Sequence, residues 1–227
     1  MRATEIPERA ERAEAPARAQ SRSLRRLEVF LDIVYGLIAV HMLTYLPSAK
    51  DMSWVGKHLG LLGAMVQDGR DIWRVLMGTG ITAIAWYLGS KRLSQLRRTD
   101  FAHTTMILIQ TLFVCFFVYF AICDPTLVGG PSSRALQSGS LALAGVAGQL
   151  AWRYARWRRL VDADASAAHL DDISERGLTE TMTAILNTPL SWVGPMAWTI
   201  GWFLIPLALT QALPRLRRIR RQETAEA

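Results

Sequence analysis

The sequence predicts an all-α, polytopic membrane protein with six transmembrane helices, and three observations predict it. Apolar runs near 20 residues long recur along a chain of 227 residues that is 51% hydrophobic, with mean hydropathy +0.16. A run of about 20 apolar residues is what a helix needs to cross a bilayer core. Arginine-rich clusters separate the runs, and the eight tryptophans sit mostly near run ends, where amphipathic rings favour the headgroup layer. A soluble helical domain with a large core is the competing reading, and the segment lengths count against it.

The net charge of +7 fits this picture better than a nucleic-acid footprint, because most arginines flank apolar runs, where charge sets membrane orientation. No nucleic-acid partner is expected. The two cysteines, Cys115 and Cys123, share one apolar run at a spacing that matches no zinc or haem pattern. They read as small buried hydrophobes, and neither a metal nor a cofactor is expected.

Residues 1–22 alternate arginine and glutamate in an alanine-rich background. With no apolar face to bury, they read as a disordered cytoplasmic tail, or a frayed helical one. The first span, about 27–46, lies in RLEVFLDIVYGLIAVHMLTYL and stays in the protein as helix 1, being too long for a cleaved leader. Residues 48–70 form a mixed loop in which 53–66 could make a short interfacial helix. The second span, about 72–90, is rich in small residues that let helices approach closely. The basic turn KRLSQLRR leads to the third span, about 101–123, which Asp124-Pro125 and GGPSS end. The fourth span, about 135–154, stops in RYARWRR, and an acidic, exposed stretch occupies 160–176.

Charge decides how often 177–213 crosses. Basic clusters fall at 22–26, 91–98, 153–159 and 215–221. If all four are cytoplasmic, an even number of spans separates each pair. The last interval then holds two short helices, about 177–193 and 195–213, split at Gly194-Pro195. Both termini are cytoplasmic, the transmembrane domain covers 23–215, and 216–227 is a basic tail. The chain is expected to be a multi-pass protein of a bacterial plasma membrane, in contact with its lipids.

Helix 1 carries the chemistry. Helical spacing puts Phe30, Val34, Leu37, His41 and Thr44 on one stripe, and Gly36 and Ala39 on another suited to close packing. On the functional reading the first stripe faces an axial conduit. Leu37 then forms a hydrophobic constriction that gates by dewetting, and His41 is a proton acceptor or pH-sensitive charge one turn further on. On the structural reading the stripe packs inside its own subunit and His41 bonds a carbonyl or hydroxyl. Asp32 is an ionisable group in an apolar span. An ion pair with Arg25, Arg26 or a basic residue of another helix is expected for it, with ion coordination as the alternative.

Arg26-x-x-x-Phe30-Leu31-Asp32 resembles the R-x-x-x-F-S-D signature of the TMEM175 family of cation channels. Trp86-Tyr87 followed by Lys91-Arg92, the aromatic third span, and Thr188-Pro189 near the last helical pair look like the same family, over about residues 24–215. The resemblance implies six helices per repeat, a homotetramer, and helix 1 lining a central pore for potassium or other monovalent cations. It places Leu37 at the constriction and gives Arg26, Phe30 and Asp32 the signature positions that hold helix 1 at its cytoplasmic end. It departs at Leu31, where the family has serine, at Val40, aligned with a pore threonine, and at His41, where an aliphatic residue is usual. With Val34, Val40, His41 and Thr44 as pore-lining positions, three readings stay open. They are a potassium-type leak channel, a non-conducting membrane sensor or scaffold, and a proton-permeable channel or carrier using His41.

Other candidates carry less. Asp162 to Ser166 opens like a calcium loop, but Ala167 and Ile173 stand where glycine and glutamate are needed. His169 with Asp171 and Asp172 could catch a divalent ion weakly. His58 and His103 stand alone near membrane edges. No P-loop, HExxH, G-x-S-x-G or dinucleotide fingerprint occurs, so an enzyme is not expected.

Overall fold

The computed structural model describes the backbone over residues 5–45, 69–123 and 130–226, and side chains over 20–45, 75–122 and 130–212. Six helices make up this part of the chain: α1 Glu5–Leu43, α2 Gly69–Leu93, α3 Phe101–Cys123, α4 Pro131–Trp157, α5 Ala167–Val193 and α6 Pro195–Glu226. Among the described residues no β-strand forms, and one isolated bridge pairs Leu96 with Val161. The expected all-α class and six-helix count both hold. The expected interfacial helix at 53–66 and His58 lie outside the described residues.

Helix ends move more than helix number. α1 begins at Glu5, so the stretch expected as a tail is largely helical, in keeping with its alanine content. α5 starts at Ala167, ten residues before the expected span, because Ser166 caps it by accepting from the His169 amide at 3.2 Å. Part of the expected acidic loop is therefore the first turns of a helix. Gly194 alone joins α5 to α6, at φ 155°, a left-handed value that favours glycine, and Pro195 opens α6 with its fixed φ.

α3, α4, α5 and α6 pack each on the next, while α1 lies at the edge against α2 and α3. The core joins Leu24, Leu27, Leu31, Tyr35 and Met42 of α1 to Val114, Phe117 and Val118 of α3 and to Trp152 and Ala155 of α4. One polar side of the middle of α5 is buried too. Thr179, Thr181 and Thr183 donate to their own helix carbonyls four residues back, at 2.7–3.0 Å, so they need no partner elsewhere. Gly145 of α4 faces Thr181 closely enough that a Cβ there would come within 2.6 Å of its hydroxyl.

One buried charge ties the bundle together. Arg92, only 4% exposed, reaches from the end of α2 into the junction of α3, α4 and α5. A Cβ on Gly148 would come within 2.7 Å of its Nη1 and of Gln110 Oε1, and a Cβ on Gly177 would collide with its Nη2. Burial holds the Arg92 pKa below its ordinary value, while Glu180 of α5 and Tyr35 of α1 act in the opposite sense. Its Nε has no hydrogen-bond partner. Gly177→Ala is therefore expected to cost about 2 kcal/mol by overpacking and to lower the melting temperature in detergent. Gly36→Ala, where a Cβ meets nothing within 4 Å, leaves it unchanged. Equal melting of the two variants would remove Arg92 from the junction.

Candidate functional site

The two faces of α1 differ sharply. Leu24, Leu27, Leu31, Tyr35 and Met42 point into the bundle, with Ile38 packed against them. On the opposite side Val29, Phe30, Ile33, Leu37, Val40 and Leu43 are exposed, Leu37 at 64% and Val40 at 61%. His41 and Thr44 are exposed beside them and Val34 is half-buried. The stripe predicted from helical spacing therefore lies mostly on the outer face of the described bundle, with Val34 at its margin. Leu31, which stands where the signature has serine, belongs to the core instead. A leucine there buries apolar area that a serine would not.

The histidine on this stripe has a local neighbour. The His41 ring meets Tyr45 edge-on at 5.3 Å, and the Thr44 hydroxyl donates to the His41 carbonyl at 2.7 Å. Neither contact reaches another helix. The imidazole is thus presented outward, level with the turn that ends α1.

Asp32 meets a different partner from the one expected. Its Oδ1 accepts a hydrogen bond from the Trp86 indole Nε1 of α2 at 2.8 Å, and among the described residues no arginine pairs with it. The indole suits the position, because one end is apolar and the other donates. Arg26 and Phe30 line a hollow with Thr99, Asp100, Phe101 and Thr104 at the start of α3. Gly36 and Ala39 do not pack closely on another helix as expected. Together with Asp32, Tyr35, Thr79, Thr82, Ala83 and Trp86 they line an open groove of about 250 Å³ between α1 and α2.

Other expectations change in detail. His103 has partners: its ring Nδ1 lies 2.9 Å from the Thr99 hydroxyl, and its amide donates to Asp100 Oδ1 at 2.9 Å. Asp100 caps α3 by that contact and also accepts from the Tyr154 hydroxyl at 3.0 Å, which joins α3 to α4. Asp171 and Asp172 are held by Arg156 and Arg176 at 2.9 and 3.0 Å, which takes up the acids considered beside His169. Cys115 is half-buried and free.

The sequence reading placed Arg92 in a basic turn and passed over Glu180, Arg134 and Asn187. Arg134, at the start of α4, donates from Nη2 to the Ser191 carbonyl of α5 at 3.1 Å. Asn187 is fully buried, with neither side-chain atom bonded, where Gly201 lets α6 come close. The signal was available, since ionisable and amide groups within apolar helices are expensive enough to ask for a reason.

No protein-family model matches the sequence, and no curated protein matches it. In structure the chain is similar to a lysosomal potassium-selective channel TMEM175 homolog from Chamaesiphon minutus. The TM-score is 0.64 at 15% sequence identity, over 84% of this chain and 97% of that one. At that identity the likeness is one of fold, and the fold is the one the helix 1 signature pointed to.

The Asp32–Trp86 contact gives a test of how α1 is held. Trp86→Phe keeps the ring and removes the donor. Both residues are partly exposed, so the loss is expected at about 1 kcal/mol, read as a lower melting temperature, with Asp32→Asn losing less. If Trp86→Phe melts like the native protein, this bond does not position α1.

Proposed function

We propose that the chain is a TMEM175-like cation channel of the bacterial plasma membrane, leaking potassium or other monovalent cations. The single observation that carries this is the exposed apolar stripe of α1, in a chain with the fold of a TMEM175 homolog. A homotetramer placing four copies of that stripe about an axis would bury it and line a conduit with Val34, Leu37, Val40, His41 and Thr44. Leu37, the most exposed large apolar side chain on the stripe, forms the constriction and closes it by excluding water. Arg26, Phe30 and Asp32 act at the other end of the helix, holding its tilt rather than binding ions.

A lipid environment fits the distribution of polarity. Among the described residues, α3 alone is both long and apolar enough to cross a membrane by composition, over Phe101–Ile122. α4 and α5 carry polar residues that point inward, whereas α1 carries Arg25, Arg26, Asp32 and His41 on its exposed side. Gln137, Ser138, Gln149, Thr181 and Asn187 are buried, whereas Leu112, Phe116, Leu143, Leu150, Phe203 and Leu204 are exposed. A soluble monomer rarely exposes apolar area on that scale, and a bilayer removes the objection. The connections carrying two basic clusters are bridged side by side through Leu96 and Val161, which supports a shared cytoplasmic side for them and for both termini.

A proton-permeable pore is the second reading, carried by His41 on the same stripe. Flux into liposomes tests both. Purified protein is expected to pass potassium above empty liposomes, and Leu37→Ala raises the flux severalfold by shrinking the apolar constriction. His41→Ala leaves potassium flux within a factor of about two while abolishing any proton flux, since histidine is the titratable group nearest the constriction. No potassium flux from folded protein overturns the channel, and flux unaffected by Leu37→Ala overturns the gate.

A further inference from the structure

At one end of the bundle the α2–α3 and α4–α5 connections enclose a hollow of about 770 Å³, within the range of small-ligand sites. Four arginines line it, Arg97, Arg98, Arg156 and Arg159, against one carboxylate, Asp162. Arg156 is engaged by Asp171 at 2.9 Å. Among the described residues no ion pair takes up Arg97, Arg98 or Arg159. The two connections are fixed to each other rather than loose. The Arg97 amide donates to the Leu160 carbonyl and the Asp162 amide to the Gln95 carbonyl, both at 2.9 Å.

The backbone at Arg159 is a second, independent observation. α4 ends in a paired-bond cap: Leu160 N donates to the Ala155 carbonyl at 2.9 Å and Arg159 N to the Arg156 carbonyl at 3.2 Å. Arg159 itself takes φ 52°, a left-handed conformation that such a cap normally gives to glycine. The cap alone gives no reason for that choice, and strain of this kind is commonly kept where a side chain is needed. The long cationic side chain of Arg159 instead lines the hollow.

We infer that this hollow binds a phosphate-bearing anion, with Arg97, Arg98 and Arg159 as its ligands and Arg156 held in place by Asp171. Guanidinium groups match phosphate oxygens in pairs. The surroundings favour a membrane lipid headgroup as the source. Trp157, 74% exposed, ends α4 here, and Phe101, 88% exposed, starts α3 at the same end, where Asp100 accepts from Tyr154. Exposed aromatic rings next to arginines suit the headgroup layer of a membrane.

The test is calorimetric titration of the full-length protein in phosphatidylcholine nanodiscs, with inorganic pyrophosphate in one arm and dioctanoyl phosphatidic acid in the other. Saturable binding is expected. Arg159→Gly and the Arg97→Gln/Arg98→Gln pair each weaken it about tenfold. Arg153→Gln, which removes an equal charge from α4 outside the hollow, leaves it unchanged. Arg159→Gly also melts no lower than the native protein, because glycine suits φ 52°, so a binding loss there cannot be a folding loss. Tighter binding of the lipid than of pyrophosphate identifies the headgroup, and equal binding overturns the lipid source in favour of a free phosphate. Absence of saturable binding in both arms, or equal weakening by Arg153→Gln, overturns the site.

Discussion

The buried guanidinium of Arg92 is the constraint on which the arrangement of this bundle rests. An ion-sized charge removed from water is costly unless its surroundings are polar and well placed. The chain meets that requirement with glycines at 148 and 177, which clear the space, and with Gln110 and Glu180 nearby. These residues come from α3, α4 and α5, so the end of α2 can sit in only one place relative to them. α1 leans on α2 and α3 and on little else. The direction in which its outer stripe faces is thus inherited from an arginine on another helix.

That inheritance matters because the outer stripe is the face on which the proposed function rests. The bundle satisfies many of its buried polar groups internally, through threonines bonded to their own helices and through Arg134 on the Ser191 carbonyl, although Arg92 Nε and the Asn187 amide are left unbonded. Along the middle of α3, α4 and α6 it leaves large apolar side chains outside. Lipid can cover the outer faces of α3, α4 and α6 without further specification. The stripe of α1 differs from those faces in carrying an imidazole, and an acid held by Trp86 lies near its far end. Such groups are costly against hydrocarbon, so an axis shared by copies, with water in it, accounts for them better than lipid does.

Much of this was legible in the sequence because the relevant periodicities are strong. The 3.6-residue spacing of Phe30, Val34, Leu37, His41 and Thr44 marked one stripe of α1, whereas its inner face, with Leu24, Leu27, Leu31 and Tyr35, was not read from the sequence. The four basic clusters predicted the helix count, and α3 matches its expected limits because proline and glycine mark its end. The partner of Asp32 was not legible. Nearby arginines were the obvious candidates, but Trp86, 54 positions away, is brought to it by the packing of α2. The early start of α5 was missed because acidic residues hid a serine cap, and Arg92 was read as part of a basic turn although it alone of that cluster points inward. His103 was read as isolated for a similar reason, since Thr99 and Asp100 become its partners only when α3 turns.

The central claim is that copies of this chain face one another across the outer stripe of α1. Copy-to-copy cross-linking tests it most directly. In a background carrying Cys115→Ala and Cys123→Ala, Leu37→Cys is treated in membranes with a short bismaleimide. Ile109→Cys, on the exposed side of α3, serves as the comparison. The account predicts cross-linked pairs at 37 and none at 109. Monomers at 37, from protein that the reagent has labelled, would contradict it.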